Sequence, residues 1–178
     1  MSDTRTAGQT AIALIVLAAM IAVIAAVLGF QHIGGYIPCK LCLAQREPYY
    51  AAMPLAALAA LSPALRWPQC LARGLLAIVG LLLLYSMALA VFHAGVEWML
   101  WPGPTDCGAT AGNISTDAGD LLGDLSATKP PSCDTAAGRF LGLSFAGWNV
   151  LASFALAVTA LRTAWHNAQT YGSSSVSQ

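Results

Sequence analysis

Within "YIPCKLCLAQREPYY", Tyr36 to Tyr50, Cys39 and Cys42 sit three apart and Arg46 follows the second by four. CxxC is the usual form of a dithiol active in disulfide exchange, and the species that attacks is the thiolate. A neighbouring arginine or a helix N-terminus lowers a thiol pKa. Both features are available to Cys42: Arg46 is one turn on if the segment is helical, and a long apolar run begins just beyond. Pro48 fits the first turn of a helix but not its interior, so the regular helix starts near Glu47 and leaves Cys42 to Arg46 in a separate turn. A disulfide closing so small a ring constrains little chain entropy, which disfavours a purely structural role for this pair. Leu43 stands where c-type haem attachment needs a histidine.

Three further cysteines follow. Cys107 and Cys133 have 25 residues between them, and Cys70 is alone. Structural zinc sites usually pair two tight knuckles, and the wide Cys107–Cys133 spacing gives only one, so no metal is assigned. Cys107 and Cys133 read either as redox partners or as a bond stapling a loop. His93, with Glu97 four residues on, is a candidate to lie beside Arg46 and hydrogen-bond an acceptor. The plainer readings are an Arg46 that snorkels to headgroups and a His93 wetted at an interface.

The elements that must carry these residues are apolar. Only 9% of the 178 residues are charged and 57% are hydrophobic. A soluble domain averages about 25% charged, so a membrane protein is the first expectation. The runs are Ala11–Phe30, Tyr49–Leu65, Gly74–Phe92 and Phe140–Leu161, none holding a charge. A span needs about 17–25 such residues, and backbone groups in lipid must be satisfied within the segment, so each run reads as a transmembrane helix. The first run's 20-residue core exceeds the roughly 7–15 residues of a signal-peptide core, which is the alternative for it. Net charge is zero, with no basic stripe for nucleic acid.

Four spans put both termini on one face with the loop Ser62–Arg73, and put loops Gln31–Pro48 and His93–Arg139 on the other. Lysines and arginines divide four against four, although Arg66 and Arg73 in the short loop favour the tail side as cytoplasmic. Cys39, Cys42, Cys107 and Cys133 all fall on the opposite face, with Cys70 on the tail side. Disulfides persist on the oxidising side of a membrane, which makes the four-cysteine face periplasmic. Within the long loop, Ile114, Ala118, Leu121, Leu122 and Leu125 share one helical face, predicting a short amphipathic helix on the membrane surface; a disordered acidic loop is the alternative. Trp98 and Trp101 read as interfacial aromatics. The expected fold is an all-α integral membrane protein of one domain: a four-helix transmembrane bundle with two periplasmic cysteine-bearing loops.

Two dithiols on one face suggest an electron relay. A pair at the bilayer edge reaches the depth of a quinone headgroup, a two-electron acceptor, and Arg46 could stabilise charge developing on its oxygens. The elements "PCKLCLAQR", "HAGVEW…WPGPTDC" and "PSCD…RFLGLSFAGWN" resemble the bacterial disulfide bond formation protein B (DsbB) family over roughly Ile12 to Leu161. The resemblance implies a quinone-dependent thiol oxidase of the bacterial inner membrane. In it Cys107 would form the mixed disulfide with a periplasmic DsbA-type thioredoxin-fold partner, and Cys133, once released, would attack Cys39. Cys42, freed as a thiolate, would meet ubiquinone or menaquinone in a charge-transfer species; Arg46 would hold the quinone and His93 would lie near it. Cys70 takes no role from the family. A non-catalytic scaffold with structural disulfides and a thiol reductant carrier running the opposite way are the alternatives.

Overall fold

A computed structural model describes residues 2–104 and 133–172. Its helices are α1 (Ser2–His32), α2 (Lys40–Ala44), α3 (Glu47–Leu61), α4 (Gln69–Glu97) and α5 (Phe145–Gly172), with a small hairpin of β1 (Arg139–Phe140) and β2 (Leu143–Ser144) before α5. Cys107 and the predicted amphipathic segment around Ile114 to Leu125 lie outside the described residues.

The helices pack by burying small and branched residues against one another. α4 lies against α5 and α3, and α1 packs on α3 and α5. The core holds Val16 and Met20 of α1, Tyr49, Ala52 and Ala56 of α3, Val79 and Leu83 of α4, and Ala157 and Ala160 of α5. The alanines let helix backbones approach closely, the usual device where lipid removes the hydrophobic drive for helix association. The outward face is just as apolar: Ile15, Leu81 and Phe154 are all more than half exposed. Such a belt is costly in water and neutral in hydrocarbon. Among the described residues three helices are long and apolar enough to cross a bilayer, over Ala7–His32, Gln69–Glu97 and Phe145–Trp165.

At two ends the helices fall short of the apolar runs. The second run was read to Leu65, but α3 ends at Leu61 with Ser62 as C-cap. Pro63 has no N–H to continue the helical ladder, and the Ala59 carbonyl it would have met accepts from the Ser62 hydroxyl at 2.8 Å instead. The 15-residue helix is therefore roughly 22 Å long, short of the roughly 30 Å hydrocarbon thickness.

The fourth run was read from Phe140, yet residues 139–144 form the antiparallel hairpin, pairing Arg139 with Ser144 and Phe140 with Leu143. Leu141 (φ 52°) and Gly142 (φ 82°) are both left-handed, as a type I′ two-residue turn demands. Gly142 adopts that conformation without steric cost. Ser144 then caps α5, its Oγ accepting from the Gly147 N–H at 3.2 Å. As Pro48 implied, the chain breaks between α2 and α3, with Pro48 in the first turn of α3 and Arg46 as its N-cap.

Candidate functional site

α2 is a single short helix whose N-cap is Cys39. The Cys39 Sγ accepts from the Cys42 backbone N–H at 3.4 Å, and the two sulfurs lie 3.1 Å apart. Cys39, Cys42 and Cys70 are free thiols; Cys133 is disulfide-bonded. Cys39 and Cys133 are buried together against Val96, with Leu41 and Cys42 packed at the edge. The Cys39 sulfur, the Cys133 sulfur and a ring nitrogen of His93 all fall within 4.8 Å of one another. Cys39 thus has a thiol on one side and a disulfide sulfur on the other, both near the reach of exchange.

That triad has the dimensions of a metal site. A disulfide sulfur carries no thiolate charge, however, and metals bind the thiolate. With Cys133 bonded, the cluster is arranged for sulfur exchange and not for coordination.

The electrostatics correct one expectation. The cap and the nearby charge were expected to favour a thiolate at Cys42, but α2 starts one turn earlier and its N-terminus serves Cys39. The hydrogen bond from the Cys42 thiol, helped by His93 and the Cys42 amide and opposed by burial, lowers the Cys39 pKa to about 4. Cys42 moves the other way: its bond to Cys39, burial, and the adjoining Cys39 charge raise its pKa, and Arg46 offsets this only in part. In the reduced pair the thiolate is Cys39.

Arg46 is nine-tenths buried. It donates through Nη1 to Gln31 Oε1 at 2.7 Å, while its Nε has no partner among the described residues. It lines an open cleft with an apolar wall and a few convergent polar groups, the usual make-up of a small-molecule site. Val23, Val27, Phe30 and Phe145 make the apolar wall; Cys42, Gln45, Arg46 and His93 make the polar end. His93 and Arg46 share this cleft, but the close contacts of His93 are elsewhere. Its Nε2 is 3.6 Å from Cys39 Sγ and 3.8 Å from Glu97 Oε1, and its Nδ1 is 2.9 Å from Gln45 Nε2.

Three site residues escaped the sequence reading: Gln31, Tyr49 and Asn149. Asn149 accepts from the Tyr49 hydroxyl at 2.9 Å and donates to Gln45 Oε1 at 2.8 Å. Its signal was present, since an amide inside an apolar span is costly unless partnered. Gln31 and Tyr49 stand at helix ends, where polar residues are ordinary.

The family model described as disulfide bond formation protein DsbB matches residues 9–163. The chain belongs to the DsbB family. A search of curated proteins and a search of solved structures each returned no match. DsbB membership makes this a multi-pass membrane protein of disulfide bond formation, with a disulfide oxidoreductase role. In this DsbB-family chain Cys39, Cys42 and Cys133 gather at the end of the bundle where α2, the end of α4 and the segment at Cys133 meet, and Cys70 lies apart near the start of α4.

Proposed function

We propose that this DsbB-family protein is a quinone-dependent thiol oxidase that reoxidises a periplasmic DsbA-type dithiol partner. Electrons pass through two cysteine pairs to the membrane quinone pool. The observation that carries this reading is the position of Cys39, with its sulfur between disulfide-bonded Cys133 and Cys42 at the mouth of a cleft.

The partner thiolate attacks the loop disulfide at Cys107, forming a mixed disulfide and releasing Cys133 as a thiolate. A second partner thiolate then releases the partner as its own disulfide, leaving both loop thiols reduced. Cys133 in turn attacks the oxidised Cys39–Cys42 bond at Cys39, and Cys42 leaves as a thiolate. Cys107 resolves the resulting Cys39–Cys133 bond. Each exchange breaks one S–S bond and forms one, so two electrons move inward with each full transfer. The described arrangement, with Cys133 bonded and Cys39 and Cys42 free, corresponds to electrons held in the inner pair.

The cleft fits a quinone ring. It offers an apolar wall and a polar end, and the buried unpaired Nε of Arg46 needs an acceptor. When bound, the quinone supplies a sink for two electrons and two protons. Arg46 would hold it by its oxygens and Val23 and Phe30 would exclude water, while Cys42 opens on the same space. His93 stands behind, its Nε2 3.6 Å from the Cys39 sulfur.

α3 is the fourth span in this reading. Its shortness is met by local bilayer thinning and by the flanking α2 and turn residues. The four cysteines then share the oxidising face and Cys70 lies on the cytoplasmic one. Purified protein should oxidise a reduced DsbA-type protein with ubiquinone or menaquinone in nanodiscs, and Cys42→Ser should abolish turnover. Full turnover by Cys42→Ser would sink the reading.

A further inference from the structure

His93 faces the thiols through only one of its two ring nitrogens, and the group that fixes which one sits on the α2–α3 connection. Gln45 Nε2 donates to the Leu41 carbonyl at 3.2 Å. A carbonyl only accepts, so this contact orients the side-chain amide. The same nitrogen has a second hydrogen, and it points at His93 Nδ1, 2.9 Å away. The far end of the amide agrees: Gln45 Oε1 accepts from Asn149 Nδ2 at 2.8 Å. Asn149 is turned that way because its Oδ1 accepts from the Tyr49 hydroxyl at 2.9 Å. The Gln45 main chain is pinned as well, its carbonyl accepting from the Ser86 hydroxyl at 2.9 Å.

A nitrogen that accepts from an amide N–H cannot carry a proton in the neutral ring, so the proton resides on the other nitrogen. That other nitrogen is Nε2, facing the Cys39 sulfur and the Glu97 carboxylate. With the opposite tautomer a lone pair would face the sulfur and repel its thiolate.

We propose that Gln45, backed by Asn149 and Tyr49, is a positioning residue that locks His93 in the tautomer protonated on Nε2, so that Cys39 always meets a hydrogen-bond donor. The tautomer itself stands apart from the oxidase reading; only its consequence for turnover rests on that reading. The string spans three helices, so one amide couples the register of α3, α4 and α5 to the state of one ring.

The test uses the full chain in nanodiscs with nitrogen-15-labelled histidine, the His93 signals being assigned by their loss in His93→Gln. The wild type should give a pyridine-like shift at Nδ1 and a pyrrole-like shift at Nε2. Gln45→Met, close in volume and without the amide, should mix or reverse the pattern. It should also move the pH at which Cys39 alkylation falls off upward by about one unit, the loss of about one hydrogen bond to a charged group. In a His93→Gln background, where a side-chain amide can donate whatever Gln45 does, Gln45→Met should change alkylation little. Asn149→Leu, which leaves Gln45 in place, covers the case in which Gln45→Met does not fold and should shift the same signals in the same direction. A wild type protonated on Nδ1, or His93 shifts unchanged in both variants, overturns the proposal. Expected shifts in a protein that cannot pass electrons from a dithiol partner to quinone would support the positioning string while overturning the oxidase reading.

Discussion

At the scale of single residues, two sulfurs 3.1 Å apart cannot both carry charge at modest cost, so the environment chooses between them. It chooses Cys39, which has the N-cap amide, the Cys42 thiol and His93. A lowered pKa means that the thiolate persists as pH falls and is lost only through the shifted value. Alkylation of Cys39 in the reduced protein should stay fast from neutral pH down to about 5 and fall through about 4. Cys42, shifted upward, should stay slow through the alkaline range. Mass spectrometry of the two sites across pH measures both, and a Cys39 profile that falls near the ordinary thiol value of 9.0 would contradict the assignment. Arg46 carries the second prediction at this scale. Its guanidinium is buried with Nε unpaired, and a hydrogen bond from a charged donor is worth about 1.5–3 kcal/mol. Arg46→Met should raise the KM for quinone about 10- to 100-fold, with Arg46→Lys falling between. Steady-state kinetics with a soluble quinone analogue decides it.

Elements position those residues through close helix contact. Gly80 on α4 faces α5 directly: a Cβ there would come within 2.5 Å of Leu161 Cγ and 2.7 Å of its Cδ2. Gly74, on the same helix, has open space at the Cβ position. Helix propensity favours alanine over glycine by about 1 kcal/mol in both places, so the pair isolates packing. Gly80→Ala should lower stability, because overpacking costs about 1–3 kcal/mol and outweighs that gain. Gly74→Ala should be neutral or mildly stabilising. Thermal unfolding in one detergent compares them; equal midpoints would mean that α4 and α5 are not held at this distance. Gln45 and Asn149 meet across the same bundle, so Gly80→Ala should also weaken the site behind His93.

For the whole molecule, the question is which thiols share a face. Cys70 is exposed near the start of α4, and the Cys39 and Cys42 cluster lies by its other end, where His93 and Val96 pack. α4 is 29 residues long, roughly 43 Å, enough to separate the two groups by a full bilayer. A membrane-impermeant maleimide applied to right-side-out vesicles should label Cys39 after mild reduction and spare Cys70. Inverted vesicles should reverse the pattern. Labelling of both from one side would remove α3 as the fourth span, since an odd number of crossings changes which ends share a face.

Several features were legible in the residues alone. CxxC, the second pair, the charge-free runs and the family pattern in "PCKLCLAQR" depend on composition and local spacing, which a sequence states directly. Pro48 likewise marked the break before α3, because a proline's lost N–H and fixed φ act wherever it stands. Where helices ended was harder: Pro63 and the left-handed Leu141–Gly142 turn overrode runs that hydropathy counted as continuous. Which cysteine holds the charge was not legible at all. That depends on a cap shifted by one turn, on a histidine 54 residues away in the chain, and on an asparagine 104 residues from Gln45. Sequence fixes which groups exist and their local preference. Only tertiary packing decides which of them lie within hydrogen-bond reach, because an interaction that vanishes beyond a few ångströms depends on contacts between residues distant in the chain.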